Sequence, residues 1–128
     1  MEPIRNKMEE WRRLLGERME ENLLLKNKLA NILTNNYDQN LLEKIEDFQS
    51  RLICEDELIY SLRQVINELE NLIKNNWLED EKFSKMIHLR DVWLQKDMAY
   101  SSVRFCDLKS GFNEFQEKIS GRGGDQKI

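Results

Sequence analysis

Six glutamates stand in pairs three residues apart: Glu17/Glu20, Glu43/Glu46 and Glu114/Glu117. On a helix this spacing sets both carboxylates on one face, and two such pairs on neighbouring helices can hold magnesium against a phosphate. With 16 glutamates in 128 residues, roughly two pairs arise by chance, so the spacing alone carries little. His88 is the single histidine, which excludes the paired E-x-x-H motifs of di-iron bundles. Cys54, Cys106 and His88 are scattered without the paired spacing of a zinc site. No Ser/His/Asp order, glycine-rich phosphate loop or R-x-x-x-x-H signature occurs. Catalytic residues, metal ligands and cofactors are therefore not expected.

A second group is polar by type and apolar by position. Arg18, Asn22 and Glu55 interrupt otherwise apolar heptad seams. An antiparallel hairpin turning near residues 36 to 38 brings Glu55 within about one helical turn of both. The three are expected to form a buried polar layer. Its simplest role is to lock register, since slippage would press charges against leucine. The sharper reading is a small ligand pocket completed by Ser101 or Arg104.

The elements that must position these residues follow from composition and periodicity. The chain is 40% apolar and 34% charged, with five Gly and one Pro, which argues against disorder and against a many-turned β fold. Pro3 suits a first helical turn. Thr34 to Asn40 is rich in Asn and Asp and predicts a turn, with Asn40 and Glu43 as a capping box. Asn75-Asn76, followed by acidic Glu79-Asp80-Glu81, predicts a second break. Helices are expected near 3–34, 39–75 and 80–119, each about 50 Å long. The glycine-containing segment 120–128 is expected to be a flexible tail.

The stripes decide the class. Ile4, Met8, Trp11, Leu15, Arg18, Asn22, Leu25, Leu29 and Ile32 advance in steps of four and three, as on a coiled-coil seam. The second helix repeats the pattern from Leu41 to Ile73, and Leu58, Val65 and Leu72 add a flanking line. The third carries Ile87, Leu94, Met98, Phe105, Leu108, Phe112, Phe115 and Ile119, with Met86, Trp93 and Tyr100 as a second line. Faces this wide need more than one neighbour. On these stripes the paired glutamates point to water and Trp11 to the core. Trp77 lies beside the second break, and Gly16 marks either a bend or a close helix approach.

Charge narrows the partners. Residues 1–34 hold seven basic and six acidic side chains, whereas 38–76 hold four and nine, so the flanks of an acidic and a slightly basic helix can pair. The net charge of -4, with Arg12, Arg13, Arg18, Lys26 and Lys28 spread around the helix, speaks against nucleic acid. Leu23-Leu24-Leu25, the longest aliphatic run, is far short of the ~20 residues that cross a bilayer. Met1-Glu2-Pro3-Ile4-Arg5 opens no apolar leader, so the cytoplasm is the expected compartment, where both cysteines would stay reduced.

Glu10-Trp11 with Leu14, the run Glu21-Asn22-Leu23-Leu24-Leu25-Lys26-Asn27-Lys28-Leu29, Phe48-Gln49, Asp56-Glu57, Leu62-Arg63 and Phe112-Asn113 resemble the pattern of short, helical, coiled-coil-like bacterial proteins without an established activity. The resemblance spans most of residues 8 to 115. It implies a bacterial cytoplasmic protein and carries over no activity.

The expectation is an all-α, antiparallel three-helix bundle of long helices over 1–119. The expected role is a non-enzymatic interaction or structural module, an adaptor or subunit that associates with itself as a homodimer. Leu58, Val65, Leu72, Met86, Trp93 and Tyr100 are the expected partner contacts. The alternative is a small helical enzyme of metal-dependent phosphate chemistry, similar to nucleotide pyrophosphohydrolases, which also present E-x-x-E pairs from neighbouring helices.

Overall fold

Three apolar stripes in four-three steps fold into three α-helices: α1 (Glu2–Asn35), α2 (Gln39–Asn75) and α3 (Glu81–Gln126). The computed structural model describes residues 2–35, 38–75 and 81–126, with side chains placed for 3–35, 38–75 and 81–119. No strand occurs among the described residues, and all three helices pack against one another. Asn36, Tyr37, Asn76, Trp77, Glu79 and Asp80, which belong to the two expected breaks, lie outside the described residues.

Cross-helix pairs fix the directions. Between α1 and α2, Arg12 meets Glu70 while Lys26 meets Asp56, so the two run antiparallel. Between α1 and α3, Lys7 meets Asp91 and Lys109 meets Glu21, so these run parallel. The up-down-up order follows from two short connections.

Two local ends differ from the sequence reading. The first residue of α2 is set by Asp38 rather than by Asn40: the Asp38 side chain accepts the Asn40 N–H at 3.0 Å, and its carbonyl accepts the Leu42 N–H at 3.0 Å. A carboxylate two residues upstream captures the free amide first, which leaves Asn40 inside the opening turn. At the other end, α3 continues as helix to Gln126, seven residues beyond its expected end at 119. With no proline in the segment and no glycine at positive φ among the described residues, no chain-reversing signal stops it.

The core is two clusters stacked along the bundle. One gathers Met8, Trp11 and Leu15 of α1, Ile59, Leu62, Ile66, Leu69 and Ile73 of α2, and Ile87, Leu94 and Met98 of α3. The other gathers Leu25, Leu29 and Ile32, then Ile45, Phe48 and Leu52, then Phe105, Leu108, Phe112 and Phe115. Phe48 packs edge-to-face on Phe112, with centroids 5.5 Å apart, and lies against Phe115 at 5.1 Å. Such pairs add about 1 kcal/mol beyond burial. Where the clusters part, the seam residues are Arg18, Asn22, Glu55 and Ser101.

Candidate functional site

The polar waist between the two clusters collects the polar seam residues, and Arg18, Asn22 and Glu55 each have a different partner. Asn22 is fully buried, and its Nδ2 donates to the Leu52 carbonyl at 2.9 Å and to Asp56 Oδ1 at 2.7 Å. Asp56 is held in place by an ion pair to Lys26. Arg18, half-buried, donates to Ser101 Oγ, and that hydroxyl donates in turn to the Met98 carbonyl at 3.3 Å. Glu55, 3% exposed, meets Arg104 Nε at 3.6 Å. Burial pushes the Glu55 carboxyl above its ordinary range, and Arg104 and then Arg18 pull it partly back. Thus α3 supplies the partners of Arg18 and Glu55 through Ser101 and Arg104.

A second polar position lies on the α3 seam. Asp91 is buried beside the first cluster, pairs with Lys7 Nζ at 3.1 Å and accepts from Gln95 Nε2 at 3.4 Å. Asp91 is hidden in the sequence because the apolar residues of that stripe step from Ile87 straight to Leu94. Counting four from Ile87 and three back from Leu94 gives position 91 directly.

The six expected partner contacts divide. Leu58, Leu72 and Met86 are half-buried against the first cluster of their own protomer, where α3 closes on the hairpin. The wide face of α2 is thereby shared between α1 and α3. Val65 is 40% exposed, and Trp93 and Tyr100 are 59% and 65% exposed on the outer side of α3. Lys96 Nζ lies 5.5 Å from the Trp93 ring, and the Arg104 guanidinium 6.0 Å from that of Tyr100. Leu89 and Val103 extend this exposed line in both directions.

The α1–α2 hairpin carries another apolar line on its face away from α3. Met19, Leu23 and Leu33 of α1 and Ile53 and Tyr60 of α2 are all substantially exposed. They border adjoining depressions of ≈ 700 and ≈ 280 Å³ lined by α1 and α2 alone. Sequence reasoning passed over this line because Lys26 and Asp56 interrupt it; their mutual ion pair makes the interruption tolerable.

The paired glutamates Glu17/Glu20, Glu43/Glu46 and Glu114/Glu117 are all exposed. Among the described residues no three His, Cys, Asp or Glu side chains come together as a metal set. Cys54, Cys106 and His88 are exposed, on separate stretches of helix. Trp11 is a core residue. Gly16 is crossed by Arg63, whose Nη2 would lie 3.5 Å from an added Cβ, an ordinary contact. No helix among the described residues is long and apolar enough to cross a membrane. No protein-family model, curated protein or solved structure matches the chain.

Proposed function

We propose that the chain is a non-enzymatic interaction module that associates with copies of itself, as an adaptor or subunit of a larger assembly whose smallest form is a homodimer. The observation that carries this reading is the exposed line of Trp93 and Tyr100, flanked by Leu89 and Val103, on the outer face of α3. Single exposed apolar residues are ordinary on a protein surface, but aligned large aromatics at helical spacing are the kind of anchor that interfaces bury. The polar waist supports the same reading from inside. A bundle whose register is specified by Arg18, Asn22, Glu55 and Ser101 holds its outer faces in one alignment, which repeated docking requires.

Light scattering on the wild type and on Trp93→Ala/Tyr100→Ala tests this. The wild type is expected above the 15.4 kDa protomer mass at high concentration, and the variant, with unchanged helicity, closer to it. Equal masses at the protomer value for both would overturn the proposal.

A further inference from the structure

We propose, on the basis of the self-association reading above, that the outer stripe of α3 in one copy seats in the α1–α2 groove of the next. Three properties of the two surfaces support this match.

The first is spacing. On α1 the groove line runs through Met19, Leu23, Lys26, Ala30 and Leu33. On α3 the stripe runs through Leu89, Trp93, Lys96, Tyr100 and Val103. Both advance in steps of four, three, four and three, and both cover about 21 Å of helix. The protomer already uses this geometry once: the inner stripe of α3 packs between α1 and α2 on the opposite face of the hairpin. A second helix with the same step can lie in the outer groove in the same manner.

Charge is the second. The chain is acidic overall, yet residues 81–104 carry Lys82, Lys85, Arg90, Lys96 and Arg104 against Glu81, Asp91 and Asp97, and Asp91 is buried. Lys96, within the stripe, lies over the Trp93 ring, and Arg104, beside it and paired also with Glu55, lies over that of Tyr100. The groove is bordered on its α2 side by exposed Glu57 and by Asp56, the partner of Lys26, and α2 is the most acidic helix of the three by residue count. A basic aromatic stripe therefore meets an apolar channel with an acidic rim.

Position is the third. Groove and stripe lie on opposite faces of the bundle, so two copies cannot exchange both contacts with each other. Association is head-to-tail, leaving one groove and one stripe unused in every dimer, and it continues into a ring or an open filament.

Two complementary variants test the pairing in the full chain. Trp93→Glu/Tyr100→Glu blocks the stripe and leaves the groove; Leu23→Glu/Ile53→Glu blocks the groove and leaves the stripe. All four positions are exposed, so wild-type helicity by circular dichroism is expected, and serine replacements at the same positions serve should either variant unfold. Each alone is expected to sediment at the protomer mass, and an equimolar mixture to form a 1:1 complex that grows no further. Raising sodium chloride from about 50 to about 500 mM should weaken that complex at least about tenfold, because the matched charges become screened. A mixture that stays monomeric while the wild type still associates would overturn the groove-and-stripe pairing and leave self-association standing. A wild type that stays monomeric throughout would overturn both. So would a monomer whose Trp93 face binds anionic lipid vesicles or a single-stranded oligonucleotide instead.

Discussion

At the scale of single residues, Glu55 is where burial and pairing oppose one another most directly. Its carboxyl is raised above an ordinary 4.5 because desolvation outweighs the attraction of Arg104 and Arg18. Between 4.5 and that raised value the folded chain keeps a proton that the unfolded chain has lost. The stability contributed by this group is therefore full below about 4.5 and is lost as pH rises through the folded pKa. Glu70 has the opposite sign: Lys74 and Arg12 hold its carboxyl low, so its contribution is present above 4.5 and disappears as pH falls through the folded pKa. Glu55→Gln, neutral at every pH, should flatten the first slope and leave the second. Thermal melts from pH 4 to 8 should find the variant at least as stable as the wild type at neutral pH; a less stable variant would mean the Arg104 pair outweighs burial. Asp91 tests the same balance elsewhere. Lys7→Met strands a buried carboxylate and should cost about 2 kcal/mol, below the range for fully buried pairs because Lys7 is 43% exposed. Asp91→Leu should be neutral or stabilising in urea unfolding, since it continues the apolar seam. Arg18, Asn22 and Glu55 were legible because they broke a visible stripe. Their partners were less so, because which long side chain reaches which acceptor depends on the third helix's register and not on spacing within one helix.

Among the elements, the interiors of the helices were the most readable and their ends the least. The four-three steps located the core positions of α1 and α2, and α2 runs from Gln39 to Asn75 as the periodicity predicts. Its cap is ambiguous in the sequence because Asn40 and Asp38 are both competent caps, and only the backbone path selects between them. The end of α3 carried a glycine signal that helix geometry does not use. Two other glycines give a direct prediction. Gly16 and Gly111 lie inside helices without positive φ, and added Cβ atoms would meet only Arg63 Nη2 at 3.5 Å and Phe48 Cε1 at 3.9 Å. Gly16→Ala and Gly111→Ala should each raise stability by about 1 kcal/mol, from helix propensity and a less free unfolded chain. The sites lie in separate stretches of the bundle, so the gains should add in the double variant. A loss at Gly16 in urea unfolding would show that the Arg63 side chain cannot move aside there.

Over the whole molecule, a polar waist divides one long core into two apolar halves. Two apolar lines remain outside that core, one on α3 and one in the groove of the hairpin. The sequence displayed the first plainly, through Trp93 and Tyr100 at seven-residue spacing. It obscured the second, whose residues are split between two helices and become one surface only after the hairpin closes. For the same reason Leu58, Leu72 and Met86 read as partner contacts: an apolar flank on an isolated helix looks alike whether its neighbour is α3 or another chain. Self-association is read out by sedimentation equilibrium across a hundredfold dilution of the wild type. A weight-average mass well above 15.4 kDa is expected at the highest concentration, falling towards that value on dilution. A mass that holds at 15.4 kDa over the whole series would contradict it.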